Sequence, residues 1–187
     1  MRKKFTILFS ILVIFAAFST NLMAQKAPTT YKNKEFLYRK EPAPLPNFYF
    51  YDRASNKIQI NNFKGKVVVL NMWGTGCPTC VVELPMFSRL QRDMKDQVVV
   101  VPLSVGAESI TDIMRLYQKS GVYNLEAYKD WNGELADRLN IKSIPTTLLI
   151  DPEGREIGRL TGMAEWDGPL IKSQVLKALN DYNSQKR

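Results

Sequence analysis

The sequence predicts an α/β fold, a three-layer sandwich whose central sheet is mixed. Three observations carry that expectation. Residues 66–72 (Lys-Val-Val-Val-Leu-Asn-Met) and 97–104 are apolar, β-branched runs of the kind buried on both faces of a sheet, and the helical pattern between them implies a parallel crossover. Residues 145–151 and 155–161 are extended runs around Pro152-Glu153-Gly154, a turn signal that makes them an antiparallel hairpin. Helical patterns at 78–95, 108–119 and 169–182 supply apolar stripes to cover both faces.

The elements follow in order. Met1-Arg2-Lys3-Lys4, a 14-residue apolar run over residues 5–18 and Leu22-Met23-Ala24 form the three parts of a secretory signal over residues 1–24. The run is short of the ~20 residues of a spanning helix, which favours cleavage after Ala24 over an uncleaved membrane anchor. No cysteine lies there for lipid attachment. Residues 25–46 carry Pro28, Pro42, Pro44 and Pro46 among charges and read as an extended linker, leaving 47–187 as a single domain. Residues 48–51 and 57–60 are short extended segments that extend the main sheet.

Residues 66–72 lie between Gly65 and Gly74 as a central strand. The helix from Pro78 to about Lys95 has one proline in its first turn, where the missing N–H costs nothing, and another at Pro85 that should kink it. Arg89 with Asp93 and Arg92 with Asp96 fall at i,i+4 and mark a solvated face. Residues 108–119 are helical through Ile110, Ile113, Met114 and Tyr117. Residues 125–129 suit a short strand, 133–139 a short helix, and 169–182 a closing helix apolar at Leu170, Ile171, Val175, Leu176 and Leu179.

The chain has 26 basic and 18 acidic residues; without Arg2, Lys3 and Lys4 the balance is 23 to 18, a net of +5. The basic residues are scattered and form no stripe interleaved with aromatics, which argues against nucleic-acid binding.

Cys77 and Cys80 are the two cysteines of the 187 residues, and they sit where the Val-rich strand passes into a helix. A thiolate at a helix N-terminus is stabilised by free backbone N–H groups and the helix dipole, so Cys77 is placed to attack a disulfide and Cys80, one turn later, to resolve the mixed disulfide. Zinc would require carboxylate ligands in a chain with two Cys and no His. Haem attachment requires a His after the second Cys, and Val81 stands there. An inert structural disulfide closing so short a loop would constrain the unfolded chain little.

Glu83 lies three residues beyond Cys80, with Phe87 and Leu90 at i+4 and i+7. That puts it near the core-facing side, where burial raises a carboxyl's pKa and lets it exchange a proton with Cys80. The alternative is a surface glutamate that favours the helix dipole. Trp73 either covers the rim of the site or packs in the core. Trp131, Met163 and Trp166 either line a substrate surface or pack in core and loops.

The segment Trp73-x-x-x-Cys77-Pro78-Thr79-Cys80, with Leu70-Asn71-Met72 before it, Ser143-Ile144-Pro145-Thr146 before a strand ending in Asp151, and the secretory leader together resemble the exported TlpA, ResA and CcmG group of thioredoxin-fold thiol-disulfide oxidoreductases. The resemblance spans roughly residues 45–183. A peroxiredoxin would carry Thr where Gly74 stands.

The resemblance implies a thioredoxin-like sandwich with no cofactor and no metal. It also implies a cis Pro145 facing the cysteines, an Ile144 backbone that bonds an incoming extended polypeptide, and an acid at Glu83 from the Cys-x-x-Cys-x-x-Glu pattern. Trp73, Gly76, Pro78, Ile144 and Pro145 form the expected substrate surface. Asn71 replaces the buried Asp of cytoplasmic thioredoxins and cannot carry a proton, which leaves Glu83 as the acid-base group. Gly76 replaces the large residue usual before the first cysteine and leaves a flatter surface beside Cys77.

The implied function is reduction of disulfides in exported proteins, with apocytochrome c as a candidate, by a monomer fed from a membrane electron donor in the periplasm or another extracytoplasmic space. A dithiol oxidase or isomerase, differing in redox poise, and a copper(I) clamp are the alternatives.

Overall fold

The computed structural model describes residues 31–185; the leader expected over 1–24 lies outside them. No helix among the described residues is long and apolar enough to cross a membrane.

Eight strands form one mixed sheet: β1 (Leu37–Pro44), β2 (Phe50–Tyr51), β3 (Lys57–Ile58), β4 (Val67–Trp73), β5 (Val98–Ser104), β6 (Tyr128–Lys129), β7 (Thr146–Ile150) and β8 (Arg155–Thr161), in the order β1-β8-β7-β4-β5-β6-β2-β3. The helices are α1 (Pro78–Met94), α2 (Ile110–Lys119), α3 (Leu135–Arg138) and α4 (Pro169–Gln185).

β4 is buried throughout and alternates between two cores. Val67, Val69 and Trp73 meet residues of α1, α2 and α4, whereas Val68, Leu70 and Met72 meet Phe48, Phe50, Ile60 and α3 residues Leu135 and nearby Leu139. A strand with apolar residues on both faces must lie between two layers, which is why the Val-rich run occupies the centre. Its parallel pairing with β5 runs from Val67 opposite Val98 to Trp73 opposite Ser104, and its antiparallel pairing with β7 sets Met72 opposite Thr146. The loops after β4 and β5 and the loop before β7 therefore meet at one end of the sheet.

Two expectations are corrected. Residues 37–44, read as linker, form edge strand β1 against β8, with a register shift between Tyr38 and Ala43. An edge strand needs partners on one side only, so Pro42 and Pro44 cost no ladder bond that a central strand would need, and the exposed residues leave no alternation to read. The helix α1 runs through Pro85 as the sequence pattern expects, and Pro85 has no N–H to give the Val81 carbonyl. The charge pairs on α1 reach across to its neighbour: Arg89 binds Asp167 at 2.5 Å and Asp93 binds Lys172 of α4 at 2.6 Å, while Arg92 turns to Asp93. The α4 side lies within reach, so cross-element partners replace the i,i+4 ones.

Candidate active site

A turn after β4 delivers Cys77 to the N-terminus of α1. Its amide donates to the Gly74 carbonyl at 3.1 Å, and its extended backbone makes it the helix cap. The Cys80 amide, which would otherwise lack a helical acceptor, donates to Cys77 Sγ at 3.2 Å, the contact that would favour a thiolate there once the bond is reduced. The two sulfurs form a disulfide across a Cα–Cα distance of 5.3 Å. Cys77 is half-buried between the exposed Gly76 and Pro78, whereas Cys80 is buried. The sulfur accessible to a partner is thus that of Cys77.

The Ile144–Pro145 bond is cis. Because Met72 pairs with Thr146, the sheet register sets Pro145 beside Trp73 at the mouth of the active-site turn. Ile144 is 38% exposed, and its Cδ1 lies 3.5 Å from where a Gly74 side chain would begin. An exposed apolar side chain therefore lies against the start of the turn that carries Cys77. The Pro145 carbonyl accepts from the Gly162 amide at 2.8 Å, which ties this loop to the turn after β8.

Glu83, one turn along α1 from Cys80, is fully buried. Its Oε1 accepts from the Ala164 amide at 2.9 Å and the Trp166 indole N–H at 2.6 Å, while Oε2 has no partner among the described residues. Burial pushes its pKa from 4.5 up to about 7, against the pull of the Trp166 and Ala164 hydrogen bonds and of the Lys34 charge. Such a carboxyl is suited to take and return a proton near neutral pH. Asn71, on the same face of the sheet, donates from Nδ2 to Thr147 Oγ1 at 2.9 Å, a satisfied buried amide that does not titrate.

Trp73 does not form the rim. It is fully buried and stacked on Tyr117 with centroids 5.9 Å apart, because the β4 alternation aims it at the α2 side of the core. Trp166 is core as well, stacked on Phe87 at 4.6 Å. Trp131 is half exposed and packs edge-on to Tyr51; Met163 is half-buried in the turn after β8.

Two contributors were not read from the sequence. Glu108, in the loop after β5, accepts from the Thr75 amide at 3.0 Å and the Ser104 hydroxyl at 2.6 Å, so it holds the active-site turn from the side. Lys129, buried on β6, donates to the carbonyls of Gly106 and Glu108 and fixes that loop. The signal available was topological: loops following two adjacent parallel strands emerge at one end of the sheet.

Residues 42–155 match the AhpC/TSA family. The chain is 33% identical over 123 residues to the thiol-disulfide oxidoreductase ResA of Bacillus subtilis, covering 65% of this chain and 68% of that one. It is 31% identical over 126 residues to the thioredoxin-like protein YneN of Bacillus subtilis, covering 67% and 73%. Among solved structures, a putative thiol:disulfide interchange protein DsbE from Chlorobium tepidum superposes with a TM-score of 0.66 at 23% identity, over 74% of this chain and 97% of that one. The thioredoxin domain of a Bacteroides vulgatus thiol-disulfide oxidoreductase gives 0.63 at 22%, over 74% and 96%. These two share the fold.

Proposed function

The chain belongs to the AhpC/TSA family and is a thiol-disulfide oxidoreductase of the ResA type, and from that premise we propose that it reduces disulfides of exported proteins through Cys77 and Cys80. The observation that carries the reading is the asymmetry of the pair at the helix terminus: Cys77 half-buried and capping α1, Cys80 buried one turn deeper, with Glu83 beyond it.

In the dithiol form the Cys77 thiolate attacks one sulfur of the substrate disulfide. A bond forms between Cys77 Sγ and that sulfur, and the other substrate sulfur leaves as a thiolate and takes a proton from solvent. Cys80 then gives its proton to the Glu83 carboxylate and attacks Cys77 Sγ. The second substrate sulfur departs with the bonding electrons and is protonated in turn. The substrate has gained two electrons, and the enzyme is left with the Cys77–Cys80 disulfide. A membrane electron donor restores the dithiol. Ile144, Pro145, Gly76 and Pro78 form the surface on which the substrate segment lies. The leader pattern and the resemblance to the ResA and CcmG group support an extracytoplasmic site of action, with apocytochrome c as the candidate substrate.

The test is reduction of insulin, and of a peptide bearing an apocytochrome Cys-x-x-Cys disulfide, by the pre-reduced protein, together with its redox equilibrium against glutathione. Stoichiometric reduction and a couple more reducing than glutathione are expected. Inertness toward both disulfides, or an oxidising couple, overturns the proposal.

A further inference from the structure

The segment before β1 is docked against the acid site. Lys34, held in a turn by the hydrogen bond its backbone N–H donates to the Tyr31 carbonyl at 3.4 Å, donates from Nζ to the Thr161 carbonyl at 3.3 Å. Its ammonium lies over Gly162, so close that a Cβ there would come within 2.6 Å of it. Gly162 has φ of +84°, so a side chain at this position would be strained as well as obstructed. Two residues on, Phe36 is buried with its ring 5.9 Å from that of Trp166, the donor to Glu83. Gln174 of α4 binds the Phe36 backbone on both sides, accepting from its amide at 2.9 Å and donating to its carbonyl at 3.4 Å. The Tyr38 hydroxyl donates to the Gln174 carbonyl at 2.9 Å. Residues 31–38 are thus a strap pinned at Thr161, Trp166 and Gln174. The strap lies outside residues 42–155, the part of the chain that matches the family, as do Ala164 and Trp166.

Glu83 needs such a strap for an electrostatic reason. Its two hydrogen bonds converge on one oxygen and leave Oε2 bare, so ionisation puts a charge in the core with little to balance it. Lys34, whose ammonium sits at Thr161 and Gly162 just before Ala164, adds to the pull of the Trp166 and Ala164 hydrogen bonds on that carboxylate. Cys77 and Cys80 are neutral as the disulfide, and Asp167, in the same loop as Ala164 and Trp166, is paired with Arg89.

We propose that the strap is part of the acid site, with Lys34 as a positioning residue that sets a compensating positive charge on the turn whose Ala164 and Trp166 donors hold Glu83, and Phe36 as the anchor that keeps Trp166 against it. The proposal rests on Glu83 being the proton partner of Cys80. Lys34 then keeps more of Glu83 in the carboxylate form that the resolving step needs near neutral pH, and loss of Lys34 shifts that step toward higher pH.

Tryptophan emission of the oxidised protein reports on the site independently of turnover, because the Trp166 indole N–H is bonded to the titrating carboxylate. Emission is followed from pH 5 to 9 in the wild type, Glu83→Gln, Lys34→Gln and Lys34→Arg, beside the pH profile of insulin reduction. The wild type is expected to show a step that Glu83→Gln abolishes. In Lys34→Gln its midpoint should rise by roughly 0.5 pH unit, the size of a partly screened charge pair. Lys34→Arg should restore it, and the rate profile should move by the same amount. A Lys34→Gln midpoint equal to the wild type's overturns the role of Lys34. A rate profile that Glu83→Gln leaves unchanged overturns the underlying assignment of Glu83 instead, so the two failures are distinguishable.

Discussion

Replacing Glu83 by Gln should remove a pH-dependent loss of stability and slow disulfide exchange in the same protein. Glu83 is fully buried and ionises near pH 7, against 4.5 for an unperturbed glutamate. Between those values the folded protein holds a proton that the unfolded chain has lost. The stabilisation is therefore complete below pH 4.5, declines as the pH rises, and is gone once it passes 7. At about 1.4 kcal/mol per pH unit across that window, the loss amounts to about 3 kcal/mol. Gln keeps the shape and still accepts from Ala164 and Trp166 through its carbonyl oxygen, but it does not titrate. Its amide occupies the place of Oε2, where no partner waits among the described residues, which adds a pH-independent cost of about 1–3 kcal/mol. The assay is urea unfolding of both oxidised proteins at intervals from pH 4 to 8.5. Surface carboxylates such as Asp52 and Asp112, whose hydrogen bonds hold them below their ordinary pKa, titrate alike in both proteins and cancel in the difference. The wild type minus variant difference should fall by about 3 kcal/mol from the acid to the alkaline end. Parallel curves would refute the reasoning, because they would mean that Glu83 ionises in the ordinary carboxylate range.

Cys80→Ser should accumulate a Cys77 mixed disulfide with substrate, seen on a non-reducing gel, whereas Cys77→Ser should form none; equal adducts from both variants would contradict the assignment of attacking and resolving sulfurs. Trp166→Phe removes one of the two donors that favour the Glu83 carboxylate, so the pH at which stability is lost should rise above that of the wild type; a fall would reverse the electrostatic argument. Glu108→Ala leaves the Thr75 amide and Ser104 hydroxyl without their acceptor, at a cost of about 1–3 kcal/mol, and should speed hydrogen exchange at Thr75; unchanged protection there would show that the turn is held by other contacts.

The central elements were legible because their information is local. The Val-rich run, the proline at the start of α1 and the Asp151-Pro152-Glu153-Gly154 turn state their conformations within a few residues. The depth of Glu83 was legible too, since Phe87 and Leu90 share its helix face. Strand β1 was not, because an exposed edge strand carries no alternation. Trp73 was left between two readings, and the direction of its side chain follows from the register of β4 against the helices, which its flanking residues do not encode.

By itself the sequence determined the α/β class, the placement of two cysteines at a helix N-terminus, and a carboxylate one turn beyond the second of them. These follow from backbone geometry and helical period acting over one or two turns. The tertiary structure alone decided how that carboxylate is held. Its donors, Ala164 and Trp166, are 81 and 83 residues away, and Lys34, from the segment before the first strand, binds the Thr161 carbonyl at the start of the turn that carries them. A buried charge is governed by what packs around it in space, and those neighbours are set by the sheet order and by the docking of α4, neither of which is written in the spacing of residues around Cys77.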